Sequence, residues 1–142
     1  MKFSLLLAAL AISITGCATS PVSINEVKSV AMERVFRPDA LPLANNARAV
    51  FVRDSGVSGG GGYQHLYIDG KKAASLNPGE KVEFMLPPGQ HVFGATPTDG
   101  SATYSLNTIA QDLKADKSYF YRLQTEGSSS RTALQRFIPD YQ

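Results

Sequence analysis

The chain has 142 residues, 18% of them charged, a net charge of +2, one cysteine and no tryptophan. That length suits one domain and excludes large multi-domain enzymes, and an apolar fraction of 43% excludes a disordered tail protein. Fourteen Lys and Arg against twelve Asp and Glu are nearly balanced and give no footprint for nucleic acid, which needs a clustered basic face, and a single cysteine cannot form an intrachain disulfide.

The first elements form an address. Met1-Lys2 is a short positive start, and Phe3 to Ile14 is an apolar run. That run is too short for a spanning helix, which needs about 20 residues, so residues 1–16 are expected to be a cleaved signal peptide. It ends Ile14-Thr15-Gly16-Cys17. This order of branched apolar, small, Gly and Cys resembles a bacterial lipobox. The resemblance implies that the Cys17 thiol takes a diacylglyceryl group and its amine a further acyl chain, so that the membrane is a partner through those chains. The competing reading is an ordinary secretory signal with an incidental cysteine. Ala18 rather than Asp follows, which by enteric-type sorting implies the outer membrane of a cell envelope. Removing residues 1–16 leaves 126 residues and a net charge of +1, because Lys2 is the only charged residue lost.

Residues 17–46 are expected to be a lipidated N-terminus, linker and short helix. Ser23-Ile24-Asn25-Glu26 has capping-box spacing. Ile24, Val27, Ala31 and Val35 then share one helical face, which predicts a helix over 24–35, ended by Arg37-Pro38. Its plain role is packing on the domain edge or serving as a spacer; the sharper one is docking a partner or the membrane surface.

From residue 47 the period becomes two. Strands are predicted at 47–53, 63–69, 71–76, 81–86, 91–95, 103–109, 118–125 and 131–138. Asp69-Gly70 marks a hairpin turn, and Asn77-Pro78-Gly79-Glu80, Pro87-Pro88-Gly89-Gln90 and residues 113–117 mark others. Val82, Phe84 and Leu86 should face inward, and the row Tyr119, Tyr121 and Leu123 should fill a core. Residues 47–142 are therefore expected to be a mainly β domain, a small antiparallel β-sandwich of seven or eight strands.

The order Val50-Phe51-Val52-Arg53, Leu66-Tyr67-Ile68-Asp69-Gly70-Lys71, Leu76 to Gly79, Leu86-Pro87-Pro88-Gly89-Gln90-His91 and Ser118-Tyr119-Phe120-Tyr121-Arg122 resembles the DUF2846-type bacterial lipoprotein domain. More loosely it is similar to PEGA-type surface β-domains. The resemblance implies a small envelope β-sandwich with no assigned reaction. The long Gly loop after Arg53 departs from that pattern.

Chemical motifs are few. Gly59 to Gly62 lacks the Gly-Lys-Ser/Thr ending of a phosphate loop and leads into a strand. His65 and Asp69 lie four apart on a strand, about 13 Å, too far to share a metal, so no metal site and no cofactor are expected. No Gly-x-Ser-x-Gly elbow is present. The expectation is a non-enzymatic envelope lipoprotein whose sandwich is a structural or protein-interaction module with an unidentified envelope or cell-wall partner. The alternative is a glycan- or peptide-binding module using an exposed face of Tyr63, His65 and Tyr67, since tyrosine rings stack on such ligands. A hydrolase with a site assembled in space is the remaining alternative.

Overall fold

The computed structural model describes residues 20–37, 44–56, 62–97, 106–126 and 131–139. The expected signal peptide and Cys17 lie outside the described residues, as does the Gly59–Gly61 part of the glycine run. Among the described residues no helix is long and apolar enough to cross a membrane.

The strands are β1 Lys28–Ser29, β2 Ala47–Arg53, β3 Gln64–Ile68, β4 Lys71–Leu76, β5 Glu80–Leu86, β6 Gly89–Pro97, β7 Asn107–Leu113, β8 Ser118–Glu126 and β9 Arg131–Phe137. They form a β-sandwich. A five-stranded sheet has the order β1-β5-β2-β8-β9, and a four-stranded sheet has the order β4-β3-β6-β7. The four-stranded sheet is wholly antiparallel. The five-stranded sheet is mixed: β2 is antiparallel to β5 but parallel to β8, with Phe51 opposite Tyr121, β8 is antiparallel to β9, and β1 runs parallel to β5. Alternation along a strand fixes which side chains face inward but not the direction of its neighbour, so the expected β-sandwich forms with two of its strand pairs, β1–β5 and β2–β8, parallel rather than antiparallel.

Alternation is clean along β3 and much of β5, whereas β2 is buried on both faces because Ile24 and Val27 cover its outer side. Val82, Phe84 and Leu86 are buried on β5, and Leu66 and Ile68 on β3. At the β3–β4 hairpin Asp69 and Gly70 both have positive φ, 51° and 76°, as a two-residue turn matching the strand twist requires. Between the sheets Phe51, Phe93 and Tyr121 meet with ring centroids 4.9–5.1 Å apart. Tyr119 and Tyr121 are both core residues, and burial pushes the Tyr121 phenol up to about 12. Gln64 Nε2 on β3 donates to Thr125 Oγ1 on β8 at 3.1 Å, a buried polar link between the sheets.

One strand lies further along the chain than its sequence suggests. β7 spans Asn107–Leu113 rather than 103–109, and residues 103–105 lie outside the described residues. Its partner β6 starts at Gly89, immediately after the turn, so Leu113 has to pair with Gly89. The polar pair Gln111-Asp112 concealed this because β7 is an edge strand with an exposed outer face.

The helix predicted over 24–35 does not form. Ile24, Asn25 and Glu26 make a turn, β1 follows, and only Met32–Arg34 has a short 3₁₀ turn. The apolar residues go to different places. Ile24 and Val27 pack on the outer face of the five-stranded sheet against Val50, Val52 and Phe120, whereas Val30 enters the main core. Two open sheet edges outcompete a short amphipathic helix, which is marginal by itself. β1 lines the β5 edge, and the Val30 amide donates to the Lys81 carbonyl at 2.8 Å. Beyond the 3₁₀ turn Val35 bridges to Ala74, and the Phe36 amide donates to the Ala73 carbonyl at 2.8 Å, on the β4 edge of the other sheet. At the start of this segment Ser20 bridges to Ser55. Residues 20–36 are thus stitched into the sandwich as a strap across one open side. The other side is closed where Asn107 Oδ1 on β7 accepts the Leu134 amide of β9 at 3.1 Å.

The strap is locked by Arg34. Its guanidinium makes a two-pronged pair with Glu80, at 2.6 and 2.7 Å, and donates to the Ser75 carbonyl at 2.9 Å. Glu80 Oε2 also accepts the Asn77 amide at 2.7 Å. The Arg34 hydrogen bond and charge, with the Asn77 amide, outweigh burial and hold the Glu80 carboxyl below its ordinary 4.5. Removing one partner leaves the other nearly buried and uncompensated, so Arg34→Ala should lower stability by about 2–4 kcal/mol. A carboxyl held low in the folded state stabilises above its unfolded value and loses that contribution as pH falls. Urea unfolding should therefore show a steeper acid loss below pH 4.5 in the parent than in Arg34→Ala.

Candidate functional site

The face expected to bind is carried by β3 and its approach. Gln64, Leu66 and Ile68 are buried, which turns His65 and Tyr67 to the outer face of the four-stranded sheet. Tyr63 precedes the strand and is 41% exposed. Its ring carries the Arg34 guanidinium 5.4 Å from the centroid, so the strap reaches this tyrosine as well as Glu80. Tyr67 pairs with Gly94 of β6 and Lys72 of β4. The structure therefore places the three predicted residues in one region of the surface.

His65 is half-buried. Its Nδ1 lies 2.8 Å from Ser75 Oγ on β4, directly across the strand pair. Burial, and then the charge of Lys72, lower its pKa from 6.5.

The sequence reading missed further members of this surface. Val92 on β6 and Leu106 before β7 are large apolar residues exposed to 47% and 44%. Leu106 lies over Gly94, where a Cβ would meet its Cδ2 at 2.8 Å, so the absence of a side chain at Gly94 makes room for it beside Tyr67. The signal for Val92 was present, since it alternates with His91 and the buried Phe93. Arg34 was hidden by the helical expectation.

His91 belongs elsewhere. Its Nδ1 hydrogen-bonds Asp69 Oδ2 at 2.8 Å, and its Nε2 donates to the Pro87 carbonyl at 2.9 Å. Asp69 Oδ1 in turn accepts the Val92 amide at 2.9 Å. Burial alone would raise the Asp69 carboxyl, but the Val92 amide and His91 outweigh it and hold it low. Both nitrogens of His91 are engaged in clamping two turns together, so this acid–base pair braces the sandwich end. Among the described residues no group of three or more His, Cys, Asp or Glu could hold a metal ion.

A second polar centre lies where β2 runs into the 54–62 connection. Arg53 is buried and donates to the carbonyls of Gly62 and Leu76, both at 2.7 Å. Burial lowers its pKa to about 10, which leaves it charged at neutral pH. It clamps the return of the glycine-rich connection to the end of β4. Asp54 beside it is buried and pairs with Arg122, which stacks on Phe137 with its Cζ 4.4 Å from the ring centroid.

No model of a known protein family matches the chain, and no curated protein matches it.

The His65 environment makes a pH prediction. A histidine whose folded pKa is depressed binds fewer protons folded than unfolded, so stability falls as pH drops through 6.5. In urea unfolding on either side of that value, His65→Gln should lose less stability on acidification than the parent. An equal loss in both proteins would contradict the assignment.

Proposed function

We propose that this protein is a lipid-anchored component of a bacterial cell envelope, and that its β-sandwich is a non-enzymatic structural or protein-interaction module. The observation that carries the reading is the order Met1-Lys2, apolar run, Ile14-Thr15-Gly16-Cys17, which has the charge, length and cleavage chemistry of a lipoprotein signal. Each buried methylene contributes about 0.8 kcal/mol, so one acyl chain anchors marginally and several anchor stably. Ala18 favours the outer membrane. The likeness of the turn and core motifs to the DUF2846-type domain agrees with an envelope role.

A second reading has its own support. Tyr63, His65 and Tyr67 share their region with the exposed side chains of Val92 and Leu106. Scattered apolar side chains on a surface are ordinary, but several together mark interaction sites. On this reading a glycan or peptide stacks across the outer face of the four-stranded sheet.

The anchor is tested by Cys17→Ala. Metabolic labelling with palmitate should disappear, and the protein should move from the membrane to the soluble fraction. Unchanged labelling and membrane association would refute the anchor.

A further inference from the structure

The strap changes what a lipid at Cys17 would do to the domain. A chain of thirty residues could let the sandwich drift well away from a membrane, but Ser20 already pairs with Ser55 through two backbone hydrogen bonds of 2.7 and 3.2 Å. Three Cα–Cα steps, with Ala18 and Thr19 between, separate Cys17 from Ser20. Fully extended, they reach about 10–11 Å. A lipid on Cys17 therefore holds the Ser20 corner within a head-group's depth of the bilayer.

The surface beside that corner is apolar. From Ser20 the chain runs over the outer face of the five-stranded sheet, where Val22 and Ile24 pack with Val50, Val52 and Phe120. A groove of about 300 Å³ opens there between Pro21–Ile24 and the end of β9. On its far bank Ile138 is 90% exposed, the most exposed large apolar side chain among the described residues, with Pro139 next to it. Arg122 at the floor is already held by Asp54 and by its stacking on Phe137.

We propose that the patch formed by Pro21, Val22, Ile138 and Pro139 sits on the lipid surface, so that the five-stranded sheet faces the bilayer and the outer face of the four-stranded sheet points away from it. This rests on the Cys17 anchor proposed above. The occupant follows from the length of chain between anchor and strap, since no other surface is brought so close by covalent connection. An isoleucine side chain moved from water into the interface gains apolar burial. The consequence is orientation. Sheets pack about 10 Å apart, so Val92, Leu106 and the Tyr67 surface lie at least that much further from the membrane and remain open to a partner.

The chain has no tryptophan, so a single one reports its own environment. The lipidated full chain would be purified as Ile138→Trp and, separately, as Val92→Trp on the opposite face. Each would be reconstituted in vesicles of phosphatidylethanolamine and phosphatidylglycerol carrying nitroxide-labelled head groups. Both positions are exposed, so neither change disturbs the core. The expected result is strong loss and blue shift of emission for Ile138→Trp, with Val92→Trp unaffected. A lipidated protein in which Ile138→Trp is unquenched, or in which Val92→Trp is quenched as strongly, overturns the orientation while leaving the anchor standing. A purified protein without the acyl mass on Cys17 that stays off the vesicles overturns the anchor reading and the orientation with it.

Discussion

The Arg34–Glu80 pair is the interaction on which the rest of the arrangement depends. Glu80 opens β5 in one sheet, and the Ser75 carbonyl that Arg34 also binds belongs to β4 in the other. One guanidinium therefore ties the strap to both sheet edges at once. Its planar fork of donors suits this task, because a carboxylate and a carbonyl can be met together in fixed geometry. Unpaired sheet edges invite association with other chains. Here the β5 and β4 edges are covered by β1 and by Val35–Phe36, with Arg34 between them. A domain without disulfides gains a closed side by this means.

Closing that side also determines where function can reside. The strap places Arg34 against Tyr63, so the edge of the candidate ligand face is part of the lock. His91 and Arg53 have the same character: each is a polar residue whose partners are turn and strand carbonyls or a neighbouring carboxylate. Their chemistry is spent on holding turns. Among the described residues, Tyr63, Val92 and Leu106 face outward on one sheet and Ile138 at a corner of the other. Surfaces of this kind suit contact with another molecule, and they fit the reading of an anchored interaction module.

Much of the sandwich was legible in the sequence because alternation reports burial directly. Val82, Phe84 and Leu86, and Tyr119, Tyr121 and Leu123, are inward as their spacing required. Asp69-Gly70 marked a turn for a steric reason that holds whatever surrounds it. Three features were not legible. The parallel pairing of β2 with β8 is a property of topology, which local alternation does not encode. The full extent of β7 depends on where β6 begins, and its exposed polar residues carry no alternation of their own. The strap imitated a helix, because Ile24, Val27, Ala31 and Val35 have helical spacing while their side chains are sent to separate places. The shared face of Tyr63, His65 and Tyr67 was legible from the period alone, whereas the place of Leu106 required knowledge of which residue crosses Gly94.

The central claim is that residues 20–36 belong to the cooperative fold and do not act as a loose leader. Native-state hydrogen exchange of the domain beginning at Ala18 measures this directly. The amides of Val30, Phe36 and Ser55, which donate to Lys81, Ala73 and Ser20, should exchange with free energies close to those of the β2 and β8 core amides, because they open only with the sandwich. Exchange at the rate of unprotected chain at all three, while β2 and β8 stay protected, would contradict the account.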